Sequence, residues 1–180
     1  MERNLTHIAL FAALIAVLGL VPKIDLMAGV PITAQSLGIM LCGTVLGAKR
    51  GALAVLLFLG LTLAGLPLLS GGRGGLGLLA SPTVGYLIGF PVAAYLTGAV
   101  TTHLKANIGL AAGLGAALGG VLVLNGLGVI GMSVMLGKTL PEAALLAAPF
   151  LIGDSIKAGL AGLLTQSIAK MRPAALLSRA

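Results

Sequence analysis

Charge is scarce in this sequence. Its 180 residues include 11 Lys or Arg and 4 Asp or Glu, so 8% are charged, where a soluble domain has about 25%. Hydrophobic residues make up 58% and the mean hydropathy is +1.15. That leaves too little polar surface to enclose a water-soluble globule, and the excess apolar surface has to face lipid. Tryptophan is absent and aromatics reach only 3%, which argues against a β-barrel with aromatic girdles, as does the lack of apolar/polar alternation. A single cysteine, Cys42, lies inside an apolar run. Neither a disulfide framework nor a cysteine metal site is available, and Cys42 reads as a small buried hydrophobe. There is no G-x-S-x-G or H-E-x-x-H sequence, which removes the common motifs of an intramembrane hydrolase. The net charge of +7 does not point to nucleic acid, because the basic residues sit scattered at the ends of apolar runs without interleaved aromatics.

What is present is a series of apolar runs on the scale of a hydrocarbon core about 30 Å thick. They predict an all-α integral membrane protein, a bundle of about six transmembrane helices forming one domain over residues 1–180. The expected spans are Leu5–Val21, Ala34–Ala48, Gly51–Leu69, Thr83–Thr102, Ile108–Leu136 and Ala143–Ala169. Met1 to Asn4 leads straight into the first run with no A-x-A-like cleavage site, so that run reads as a span and not a signal peptide. Pro22 stops it, and Lys23–Thr33 reads as an external loop. The second run would be only about 22 Å long, so it must begin earlier or lie where protein shields its ends. The 28 glycines suit helices packed closely through small residues. Loop charges orient the chain: a cytoplasmic N-terminus places Arg3, Lys49, Arg50, Lys105, Lys170, Arg172 and Arg179 inside, against Lys23, Arg73 and Lys138 outside. Both termini are thus predicted to be cytoplasmic. The loops after spans 1, 3 and 5 then share the outer face.

Topology does not explain Asp154 and Lys157, which stand in the middle of the sixth span. Each costs roughly 2.5 to 3.5 kcal/mol at a helix centre. Spaced i, i+3, they share a helix face and can partly neutralise each other. One reading is a structural ion pair between helices. The other is a substrate site, in which the carboxylate accepts N–H donors and the ammonium donates to a carbonyl or carboxylate. Pro149, five residues earlier, removes a helix N–H and predicts a kink that would widen a cavity or serve packing. Gly72-Arg73-Gly74-Gly75-Leu76-Gly77 matches G-x-G-x-x-G, yet no strand precedes it, no ribose-binding acid follows, and it lacks the Lys-Ser/Thr ending of a P-loop. Its glycines instead permit a tight loop that brings backbone and Arg73 near a ligand, unless Arg73 is a plain interfacial anchor. Gln35, Tyr86, Asn125 and Gln166 are polar residues inside or at the ends of spans, a type that commonly hydrogen-bonds between helices. His7 and His103, at expected cytoplasmic ends, lack carboxylate partners for a metal site. In span 1, Ala9 with Ala13 and Ala12 with Ala16 form small-x-x-x-small pairs that admit another helix.

Several stretches together resemble one family. These are Gly29–Gly38 (GVPITAQSLG), Arg50–Val55 (RGALAV), Ala64–Pro67 (AGLP), Gly71–Gly75 (GGRGG) and Ser81–Pro91 (SPTVGYLIGFP). They look like the substrate-binding S components of energy-coupling factor vitamin transporters, specifically the biotin-binding branch. Val84 departs from the family pattern, where glycine is expected. The resemblance implies a multi-pass protein of the inner (plasma) membrane with a biotin site opening outward, formed by spans 3 to 6 and capped by external loops. It implies no catalytic activity, metal or cofactor. It also implies a membrane scaffold protein and two ABC-type ATPases as partners. By matching positions, Asp154 and Lys157 would contact the ureido head of biotin and Ala9, Ala13 and Ala16 would dock the scaffold protein; from their own chemistry and placement, Arg73, Tyr86 and Gln35 are further substrate-binding candidates. Rival readings are an S component for a different vitamin, an intramembrane enzyme using Asp154 or Lys157 as acid or base, and a structural membrane protein.

Overall fold

The computed structural model describes residues 2–25 and 30–179; Gly29, which opens one of the matching stretches, lies outside the described residues. The described chain folds into α1 (Glu2–Leu18), α2 (Gln35–Leu46), α3 (Ala48–Leu63), α4 (Val84–His103), α5 (Ile108–Leu136) and α6 (Leu140–Met171). Two isolated bridges, Ile24 with Ile32 and Leu69 with Arg73, are the β contacts among these residues. α4, α5 and α6 are long and apolar enough to cross a membrane, whereas the apolar helices α1 and α2 are shorter.

α2 accounts for its own shortness. It packs against each of the other five helices, and every one of its residues but Leu37 is buried. A helix enclosed by protein need not reach either membrane face, because its ends meet neighbouring backbone and not lipid. It begins at Gln35, so shielding and not an earlier start resolves the expected mismatch. Gly47, at φ +83°, turns the chain from α2 into α3 without a loop, a backbone conformation that suits glycine. Lys49 and Arg50 therefore stand in the first turn of α3 and not between spans. α4 meets this corner at Gly98, where a side chain would collide with the backbone of Gly47 and Ala48.

The other helices carry local signals. Asn107 caps α5 by accepting from the Gly109 N–H at 2.9 Å. Thr139 and Glu142 close a capping box at the start of α6. Within α5, Ala117–Val123 forms a π segment, which no sequence pattern announces. A π turn holds an extra residue and shifts the register of all that follows. α6 continues through Pro149. Beyond α6, two short 3₁₀ turns fold back under α2 and α4, with Leu176 and Leu177 buried. Arg50 Nη1 holds the Leu177 carbonyl at 3.2 Å, and Arg179 donates to the carbonyls of Thr101, Leu104 and Ala106 at the end of α4.

Candidate functional site

Asp154 and Lys157 lie on one face of α6 as their spacing predicts, with Lys157 Nζ 2.9 Å from Asp154 Oδ1. A carboxylate only 4% exposed requires several donors, and three helices supply them. From α2, Ser36 Oγ donates to Oδ1 at 2.8 Å; from α5, Asn125 Nδ2 donates to Oδ2 at 3.0 Å. Lys157 also donates to Ser36 Oγ at 2.8 Å. Asn125 Nδ2 further donates to the Val121 carbonyl at 2.9 Å, inside the π segment, and Tyr86 OH of α4 donates to Asn125 Oδ1 at 3.4 Å. The register shift of the π turn thus precedes the two residues, Leu124 and Asn125, that α5 presents here.

Ser36, Tyr86, Asp154 and Lys157 line a pocket. Its walls are apolar and aromatic, from Leu87, Phe90, Leu124 and Phe150, with Ser36, Thr83, Tyr86, Arg73, Asp154 and Lys157 as polar groups. Tyr86 and Phe150 pack with ring centroids 5.5 Å apart. The rim is formed by Val30, Pro31 and Thr33 from the segment after α1 and by Leu69 and Arg73 from the glycine loop. Those loops touch, since a side chain at Gly71 would meet Lys23 Cε at 2.9 Å. Gly71 and Gly72 adopt positive φ, which tightens the turn that carries Arg73 over the pocket. Arg73 Nε donates to the Ser70 carbonyl at 3.3 Å, so its terminal nitrogens remain available to a ligand. Of the three loops expected on one face, the one after α5 contributes no pocket-lining residue among those described.

The remaining expected residues separate. Gln35 borders the pocket, but its amide is committed to protein: Nε2 donates to the carbonyls of Ile15 at 3.1 Å and Leu68 at 3.0 Å, and Oε1 accepts from Ser70 N–H at 3.0 Å. It ties α1, α2 and the glycine loop together. Gln166 lies away from the pocket, against Gly109. Ala9 and Ala13 lie on the open face of α1, while Ala16 turns partly inward against the core. Lys23 pairs with Asp25 at 2.6 Å. Among the described residues no group of three or more His, Cys, Asp or Glu could hold a metal ion. Ser36 had no signal of its own in the sequence, whereas Asn125 stood out as a polar residue in an apolar span. The assembled site offers one carboxylate, two cations and a phenol above an apolar floor. That set suits a small ligand with both N–H donors and acceptor oxygens.

Comparison with known proteins bears on which ligand this is. The family model described as BioY family matches residues 2–174. The biotin transporter BioY of Rhodobacter capsulatus is 51% identical, covering 99% of this chain and 100% of the relative. That of Rhizobium etli is 46% identical over 92% of each. The crystal structure of the S-component for biotin from an ECF-type ABC transporter is similar in fold, with a TM-score of 0.89 and 33% identity, covering 94% of this chain and 92% of that one.

Proposed function

The chain belongs to the BioY family, and we infer that it is a biotin-binding membrane subunit that mediates biotin uptake, energised by a separate module. It is a transporter component and not an enzyme. The observation that carries this reading is the pairing of buried Asp154 with Lys157 on the wall of the pocket. A cyclic urea presents two N–H donors and one carbonyl acceptor. Asp154 keeps lone-pair capacity beyond its three present donors, and Lys157 keeps a third N–H beyond its two present bonds. Those two residues take the ureido head. Arg73, on the rim, takes the ionised carboxylate of the ligand tail, a pairing guanidinium favours. Tyr86, Phe90 and Phe150 cover the apolar part, and Gln35 shapes the site through the loop it anchors.

In this reading all six helices reside in the cell's inner (plasma) membrane, with both termini cytoplasmic and the pocket rim outside. The energising module comprises a membrane scaffold protein and ABC-type ATPases. Support for docking on α1 is its open Ala9 and Ala13 face, where a neighbouring helix can approach closely.

Titration of purified protein with labelled biotin tests the proposal. Asp154→Asn keeps the volume and one acceptor but discards the charge, and Lys157→Met keeps the apolar stem without a donor. Each should weaken affinity roughly ten- to a hundredfold, the loss expected of a hydrogen bond to a charged group at about 1.5 to 3 kcal/mol. A purely structural pair predicts instead that each single change lowers Tm with affinity intact and that the double change restores Tm. Unchanged affinity in folded Asp154→Asn protein would sink the site assignment.

A further inference from the structure

A second concavity, a groove of about 710 Å³ between α5 and α6, shares no lining residue with the pocket around Asp154. Its walls are small and apolar, including Gly113, Ala117, Ala158 and Gly159. The helices touch at one end of it, where a Cβ on Gly162 would meet the Gly109 carbonyl oxygen at 2.7 Å. Side chains at Gly113 and Gly159 would themselves meet no such contact, although the Gly113 Cα lies 3.2 Å from where a Gly162 Cβ would stand. Neither has positive φ, a Cβ at Gly159 would find no atom within 4 Å, and one at Gly113 would find only the Ala158 oxygen at 3.9 Å. Glycine weakens a helix relative to alanine, and here the space it leaves forms the groove itself.

Depth and charge identify the occupant. From Gly109 to Leu122, both lining residues, α5 rises about 20 Å, somewhat more than one leaflet's half of a hydrocarbon core about 30 Å thick. A transmembrane helix from a second copy needs the full thickness, whereas a single acyl chain needs one leaflet. At the groove's mouth stand Asn107 and Gln166. Exposed Lys105 lies two residues before Asn107, and exposed Lys170 lies one turn beyond Gln166 on the same face of α6. Three of the chain's four acidic residues, Asp25, Glu142 and Asp154, lie at the other face or within the membrane in the proposed topology. We propose that this groove binds an acyl chain of an anionic phospholipid from the cytoplasmic leaflet, its headgroup held between Lys105 and Lys170. The inference rests on the membrane orientation proposed above, but not on the identity of the transported ligand.

Native mass spectrometry of delipidated protein in detergent, titrated with phosphatidylglycerol or with phosphatidylcholine of the same chains, tests this. Wild type should retain one phosphatidylglycerol at least tenfold more tightly than phosphatidylcholine. Gly159→Leu and Gly113→Leu, which fill the groove without meeting backbone, should each weaken that adduct tenfold or more while labelled biotin still binds. The pair Lys105→Gln with Lys170→Gln should reduce phosphatidylglycerol to the phosphatidylcholine level, and this surface change decides the matter if the leucine variants fail to fold. Equal retention of the two lipids by wild type, or undiminished phosphatidylglycerol in biotin-binding leucine variants, would overturn the proposal. So would a wild-type dimer that the leucine substitutions dissociate, which would assign the groove to a second copy. Loss of biotin binding in wild type would count against the proposed function and leave the lipid result standing.

Discussion

A carboxylate in the middle of a membrane helix is stable only if several donors reach it. Asp154 draws them from three helices, and the least conspicuous is Ser36, whose hydroxyl donates to the carboxylate while accepting from Lys157. Ser36→Ala should lower biotin affinity by about 1 kcal/mol, or about fivefold, less than the loss in Asp154→Asn because Asn125 and Lys157 still satisfy the carboxylate. Calorimetric titration checks this; equal affinity in the variant would make Ser36 a packing residue only. The two charges were legible from sequence because charge is rare in apolar runs and because i, i+3 spacing fixes a shared face. Ser36 was not, since a serine after a loop fits many roles, and only the approach of α2 to α6 gives it one. Gln35 shows the converse. It stood out in the sequence, yet the structure commits its amide to the carbonyls of Ile15 and Leu68 and the N–H of Ser70.

Helix contacts divide the glycines into two kinds that composition cannot distinguish. At Gly98 a side chain would run into the α2–α3 corner, whereas at Gly126 it would find open space. Gly98→Ala should therefore lower Tm markedly, the overpacking of such a contact costing about 1 to 3 kcal/mol. Gly126→Ala should leave Tm unchanged or raise it, by up to about 1 kcal/mol of helix propensity. Thermal unfolding in detergent distinguishes them, and similar effects at both positions would contradict the packing described. For α1, Ala9→Leu or Ala13→Leu should impair uptake in cells while labelled biotin binding stays near wild type, because both residues lie on the open face. Parallel loss of binding and uptake in folded protein would remove the docking role. Ala16, expected with them, is partly buried against the core. From its sequence, span 2 either begins earlier than its apolar run or lies where protein shields its ends. Its complete enclosure depends on five other helices and leaves no trace in its own hydropathy.

At the scale of the whole chain, the excess of basic residues on one set of loops predicts both termini in the cytoplasm. A reporter fused after the C-terminus should be active only when it is cytoplasmic; activity confined to the outside would overturn the six-span orientation. Within the described residues, the segment after α6 returns beneath α2 and α4, where Arg179 meets three carbonyls at the end of α4. Cations suit such ends, where the last carbonyls lack helical partners. A charge read only as a topology signal thus also caps a helix. The sequence by itself determined the helical class, the apolar runs that become helices and the two charges within the last of them, because hydropathy and charge scarcity are local properties that survive without neighbours. It could not determine which helix lies at the centre, the π turn that precedes Asn125, the meeting of Ser36 and Asn125 at Asp154, or the difference between a glycine that admits a helix and one that opens a groove. Those depend on which residues, distant in sequence, come within a few ångströms of one another, and only the packed tertiary structure decides that.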